Sequence, residues 1–140
     1  PHAGDWKAAQ TVQKGYELNT PLLAVSIPEN PNPPAPTLPP ISSLLNLGAD
    51  NLVLIAFKQS EDSPNEWILR CYESHGEEAQ LHLQSHLNLK LEGPVDLLER
   101  SIDSEPMPSV HGQIAPVYPW KIVSFKVSTY AEPGIAKIKF

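Results

Sequence analysis

The hydrophobic and polar positions of this chain change period after its first twenty residues. Between Asp5 and Leu18, the residues Trp6, Ala9, Val12 and Tyr16 recur at spacings of three and four, the signature of one apolar stripe on an amphipathic helix. Asp5 is placed to cap the first turn by accepting a backbone N–H bond. Pro21 stops the helix, because the residue before a proline is pushed out of helical backbone. Leu22 to Ile27 is a short apolar run, read as a strand or as an anchored linker.

From Ile41 onward the pattern is that of β-structure. Asn51 to Lys58 is apolar on both faces, with Leu52, Leu54 and Ala56 on one and Val53, Ile55 and Phe57 on the other. That pattern predicts a central strand covered on both sides. Gln59 to Glu66 has turn chemistry in Asp62, Ser63, Pro64 and Asn65, and Trp67 to Glu73 is the next strand. Leu81, Leu83, Leu87, Leu89 and Leu91 then alternate with His82, Gln84, His86, Asn88 and Lys90. This period of two predicts a half-exposed strand or a bent pair of them, broken by Gly93-Pro94. Val110 to Val117 is a weaker strand and Trp120 to Val127 a stronger one. Ile135 to Phe140 reads as an edge strand whose Lys137 and Lys139 discourage further pairing.

The reading is an all-β fold, a β-sandwich at residues 41–140, preceded by a short N-terminal helix at 1–20 and a proline-rich linker or loop at 21–40. Residues 28–40 hold seven prolines. Such a segment favours the polyproline II conformation and reads as a stiff, exposed connection, with a role as ligand for an aromatic-lined groove as the lesser alternative.

Composition narrows the function classes. The chain has 140 residues and a formal net charge of -6, which argues against nucleic acid as a partner, since phosphate binding needs a basic face. The acids gather in residues 61–105 and the bases in 106–140, a polarity read as solvation. No stretch approaches the ~20 apolar residues that cross a bilayer, so no membrane partner is expected. The single cysteine, Cys71, excludes an internal disulfide and a multi-cysteine zinc site, and with the absence of a signal segment it implies a cytoplasmic location. Opening on Pro1 rather than methionine suggests a piece of a longer protein.

The search for catalytic chemistry comes back empty. His82 and His86 are four apart, but on a strand that spans about 13 Å, too far for one zinc ion. The adjacent acids Glu61–Asp62 and Glu77–Glu78 fall in turns, where solvated carboxylates are expected. Cys71 lies in an apolar strand and reads as a buried small hydrophobe. There is no glycine-rich phosphate loop and no nucleophile elbow. Two constellations stand out. If Asn51–Lys58 and Trp67–Glu73 form a hairpin, Lys58, Glu61, Arg70 and Glu73 are candidates for an ion-pair lattice that fixes its register. Trp67, Tyr118 and Trp120 are candidates for stacking on a sugar ring, with packing in the core as the commoner fate of such aromatics.

The opening Pro1-His2-Ala3-Gly4-Asp5-Trp6, followed by Glu17-Leu18-Asn19-Thr20-Pro21-Leu22, resembles the region that follows the catalytic part of glycoside hydrolase family 38 α-mannosidases. Asn51 to Lys58, Glu61-Asp62, Ile68-Leu69-Arg70-Cys71-Tyr72-Glu73 and Gly76 are similar to that family's C-terminal β-domain. Asp96-Leu97-Leu98-Glu99 and Pro119-Trp120-Lys121-Ile122-Val123-Ser124-Phe125 fit in order and spacing, although the family often has a smaller aromatic at Trp120. The resemblance implies an exo-acting, retaining, zinc-dependent enzyme that removes terminal α-mannose. Its zinc ligands and nucleophile belong to a separate N-terminal domain, and none of them maps onto this sequence. On that basis the chain has no cofactor of its own and is inactive alone. Its partners are the other domains of the same polypeptide, with a mannose-containing glycan as a further candidate. The alternative is a stand-alone carbohydrate-binding module.

Overall fold

The structure, a computed structural model, describes residues 2–26, 41, 43–102 and 114–129. The chain divides into two compact units, residues 1–42 and 43–140. In the first, α1 spans Thr11–Asn19. Turns occupy residues 6–10, and Asp5 Oδ1 accepts from the Ala8 N–H at 2.8 Å. The helix begins later than its apolar stripe because Gln10, immediately before it, sits in left-handed backbone. No residue of α1 is buried, and residues 21–26 form neither helix nor strand. The proline-rich segment and Ile135–Phe140 lie outside the described residues.

The second unit holds β1 (Leu52–Gln59), β2 (Glu66–Glu73), β3 (Ala79–His82), β4 (Leu89–Val95), β5 (Ile114–Val117) and β6 (Ile122–Thr129). All pairings are antiparallel. One sheet has the order β1-β2-β6-β4 and the other pairs β3 with β5. Residues 46 and 47 run along β3, where the His82 N–H donates to the Leu47 carbonyl. Leu69 and Cys71 of β2, Phe125 and Val127 of β6 and Leu89 and Leu91 of β4 meet Ala79, Leu81, Ala115 and Val117 of the second sheet in one core. This is a β-sandwich. Burying a side chain such as Leu69 or Phe125 contributes about 1.5–3 kcal/mol each.

The alternating leucines resolve into two strands. Leu81 lies in β3 and Leu89 and Leu91 lie in β4, so the run crosses from one sheet to the other while its leucines stay on the core side. Gly93-Pro94 does not end β4, which continues to Val95 through an irregularity between Leu91 and Gly93. Proline is tolerated because β4 is an edge strand, where the missing N–H breaks no ladder.

β1 departs from its predicted place. It is an edge strand, paired to β2 alone, not a central one. The register shifts between Leu54 and Ala56: Leu54 pairs with Cys71 and Ala56 with Arg70, leaving Ile55 as the extra residue of a bulge. Such bulges twist an edge away from further pairing.

Candidate functional site

The turns at one end of the four-stranded sheet meet at Glu73, the last residue of β2. Its side chain is buried at 1% exposure, and its carboxylate accepts four hydrogen bonds. The donors are the N–H groups of His75 (2.6 Å), Gly76 (2.8 Å) and Trp120 (3.0 Å) and Nδ2 of Asn51 (2.9 Å). Burial pushes its pKa up, but the donated bonds from Trp120, His75, Gly76 and Asn51 outweigh that and hold it below the ordinary carboxylate range. Glu73 is therefore a fixed anion that shapes two turns.

The turn between β5 and β6 is bent around this anion. Trp120 has a φ of 59° and Gly76 one of 74°. A Cβ on Gly76 would come within 2.5 Å of the Trp120 ring, so glycine is needed both for the backbone and for the ring's approach. The arrangement leaves Tyr118 and Trp120 at 58% and 63% exposure. Trp67 is elsewhere: half-buried, it stacks on Phe57 with ring centroids 5.1 Å apart and packs against the core. The three aromatics thus separate into a core residue and an exposed pair, so they do not share one platform.

Of the four charges of the hairpin, Lys58 and Glu61 pair while Arg70 and Glu73 lie apart. Lys58 Nζ lies 2.8 Å from Glu61, but its shorter ion pair is to Glu99, at 2.6 Å. Glu99 is buried and also accepts from the Glu61 N–H at 3.0 Å. The hydrogen bond from Lys58, then that from Glu61 N–H, holds the Glu99 carboxyl below its ordinary range, and Glu61 and Glu99 together raise Lys58. Arg70 and Glu73 are not in this group. They are three residues apart on a strand, an odd spacing that turns them to opposite faces. Arg70 donates to Ser124 Oγ (2.9 Å) and to the Leu97 carbonyl (3.2 Å). Glu99 was not among the sequence candidates. The available signal was a pair of acids, Asp96 and Glu99, flanking two leucines in a turn.

Among the described residues, no three His, Cys, Asp or Glu side chains gather closely enough to hold a metal. Cys71 is fully buried, and burial pushes its thiol up to about 12, the opposite of an activated nucleophile. Among the same residues no helix is long and apolar enough to cross a membrane. What the site can do is present a rigid aromatic turn and a braced hairpin end.

The fold is thus a two-layer antiparallel β-sandwich whose buried Glu73 carboxylate organises two turns. Comparison with known proteins makes this specific: the profile described as "Glycosyl hydrolases family 38 C-terminal beta sandwich domain" matches residues 51–125, and the chain belongs to that family. It is 37% identical over 106 residues to Alpha-mannosidase 2C1 of Homo sapiens, and 32% identical over 102 residues to Alpha-mannosidase 2C1 of Mus musculus. Each match covers 71% of this chain but 9% of the relative, so the chain corresponds to a small part of the length of those enzymes.

Proposed function

We propose that this chain is the non-catalytic C-terminal β-sandwich of an α-mannosidase, packing against the rest of that polypeptide and helping to shape its glycan cleft. The complete enzyme would hydrolyse terminal non-reducing α-D-mannose residues with retention, using zinc held by residues outside this chain. The family match over residues 51–125 carries the reading. It is supported by the buried setting of Cys71, whose raised thiol is the opposite of an activated nucleophile. The test is a hydrolysis assay on an aryl α-mannoside. The 140-residue chain is expected to be inactive, and the full-length polypeptide active and chelator-sensitive. Turnover by the 140-residue chain itself would overturn the assignment.

A second reading, a stand-alone carbohydrate-binding module, is favoured by the exposure of Tyr118 and Trp120 on a rigid turn. Titration with mannose or mannobiose, followed by tryptophan fluorescence, decides it. A saturable change that disappears in Trp120→Ala supports the module; no change up to tens of millimolar removes it.

A further inference from the structure

The face of the four-stranded sheet turned away from the core is covered at its middle, where Ile68, Val95 and Ser124 are buried, and it opens toward the Ile122 end of β6. It carries a lateral row in which Val53 pairs with Tyr72 and Tyr72 with Ile122. Ile122 is 57% exposed and Ile55, at the bulge, 44%. One row along, Arg70 reaches the turn after β4 by donating to the Leu97 carbonyl. That turn is fixed at both ends. Asp96 Oδ1 accepts from the N–H groups of Leu98 (2.8 Å) and Arg100 (3.0 Å), and Glu99 is locked to Lys58. Between these anchored acids, Leu97 and Leu98 stand out at 65% and 70% exposure.

Consecutive leucines on a braced turn have the character of preformed anchors, which lose little conformational freedom when a partner covers them. The charges on this face are already engaged: Lys58 with Glu61 and Glu99, Lys126 with Glu66, and Arg70 with Ser124 and Leu97. The surface therefore favours an apolar occupant over an anionic one. We propose that the exposed Ile122 end of this face and the turn beside it form a docking surface, with Leu97 and Leu98 as its anchors, for an apolar surface of the same α-mannosidase polypeptide outside these 140 residues. The inference rests on the reading of the chain as an α-mannosidase domain. The choice of occupant follows from the relatives, in which the matched region is 9% of the length. A surface on the same polypeptide meets the anchors at an effective concentration that a separate protein does not reach.

The test uses the full-length polypeptide with Leu98→Cys, Ile122→Cys and, as a control on β3, the exposed Gln80→Cys, each prepared separately. Maleimide labelling is followed by peptide mass spectrometry. Positions 98 and 122 are expected to label at least about tenfold more slowly than position 80, with protection unchanged on dilution. Equal labelling at 98 and 80 in a polypeptide that still cleaves α-mannoside overturns the docking surface and leaves the domain assignment standing. Protection that fades on dilution assigns the face to a second copy instead and overturns the proposed occupant. A full-length polypeptide without α-mannosidase activity overturns the assignment itself, and the occupant with it.

Discussion

The backbone N–H of Trp120 donates to the carboxylate of Glu73 at 3.0 Å across 47 residues of sequence. This bond joins the end of β2 to the turn that leads into β6, the strand beside it in the sheet. The next residue reinforces the link, since the Glu73 N–H donates to the Lys121 carbonyl at 3.0 Å. One buried anion thus holds both connections at this end of the sandwich.

Glu73→Gln keeps the size of the side chain but removes the charge and offers an amide where the turns supply donors. Hydrogen bonds to charged groups contribute about 1.5–3 kcal/mol each, and unpaired buried donors cost a similar amount. Urea denaturation of the 140-residue chain is expected to show a loss of about 2–3 kcal/mol. A change within about 0.5 kcal/mol, the range of ordinary surface substitutions, would show that the anion is not organising the turns.

The same carboxylates set the acid limb of stability. Glu73 and Glu99 both have folded pKa values below the ordinary glutamate value of 4.5. A lowered folded pKa gives stability that is present above about pH 4.5 and lost as pH falls through the folded value. Lys58 is raised above 10.5, so its contribution is full below that pH and lost as pH rises through its folded value. Thermal unfolding followed against pH should fall off below pH 4.5, and Glu73→Gln should flatten that limb.

Gly76→Ala tests the contact with the indole. The added Cβ meets the Trp120 ring at 2.5 Å on a backbone with φ of 74°. Left-handed backbone alone costs a residue other than glycine about 1–2 kcal/mol. The variant should be destabilised by at least that much, and its tryptophan emission should shift to the red as the ring is displaced. The shift should be absent when Trp120 is already phenylalanine.

Much of the sandwich was legible because period-two alternation speaks directly for strands. β2 and β6 fall where Trp67–Glu73 and Trp120–Val127 predicted them. The place of β1 in the sheet was not legible, since an apolar strand reads the same whether it pairs on one side or on both. Of the charge lattice, the Lys58–Glu61 pair forms, while Arg70 and Glu73 stand apart from it for a reason already present in the numbering: they are an odd number apart on a strand. The Lys58–Glu99 pair joins residues 41 positions apart, and no local pattern encodes such a contact.

Cys71 gives a direct probe of the core. With its thiol pushed up to about 12 by burial, the thiolate fraction at pH 8 is roughly one in ten thousand. The native chain should resist a thiol reagent for as long as it stays folded and react fully in urea. Rapid native labelling would mean that the β2–β6 region opens far more readily than a buried core should.

The central claim, that this sandwich belongs to a larger α-mannosidase, is tested most directly by immunodepletion. An antibody raised against the 140-residue chain is applied to extract of the source cells, and α-mannosidase activity is measured in the bound and unbound fractions. The account predicts that activity leaves with the antibody, on a polypeptide several times larger than 15.4 kDa. A bound species of 15.4 kDa, with all activity left in solution, would contradict it.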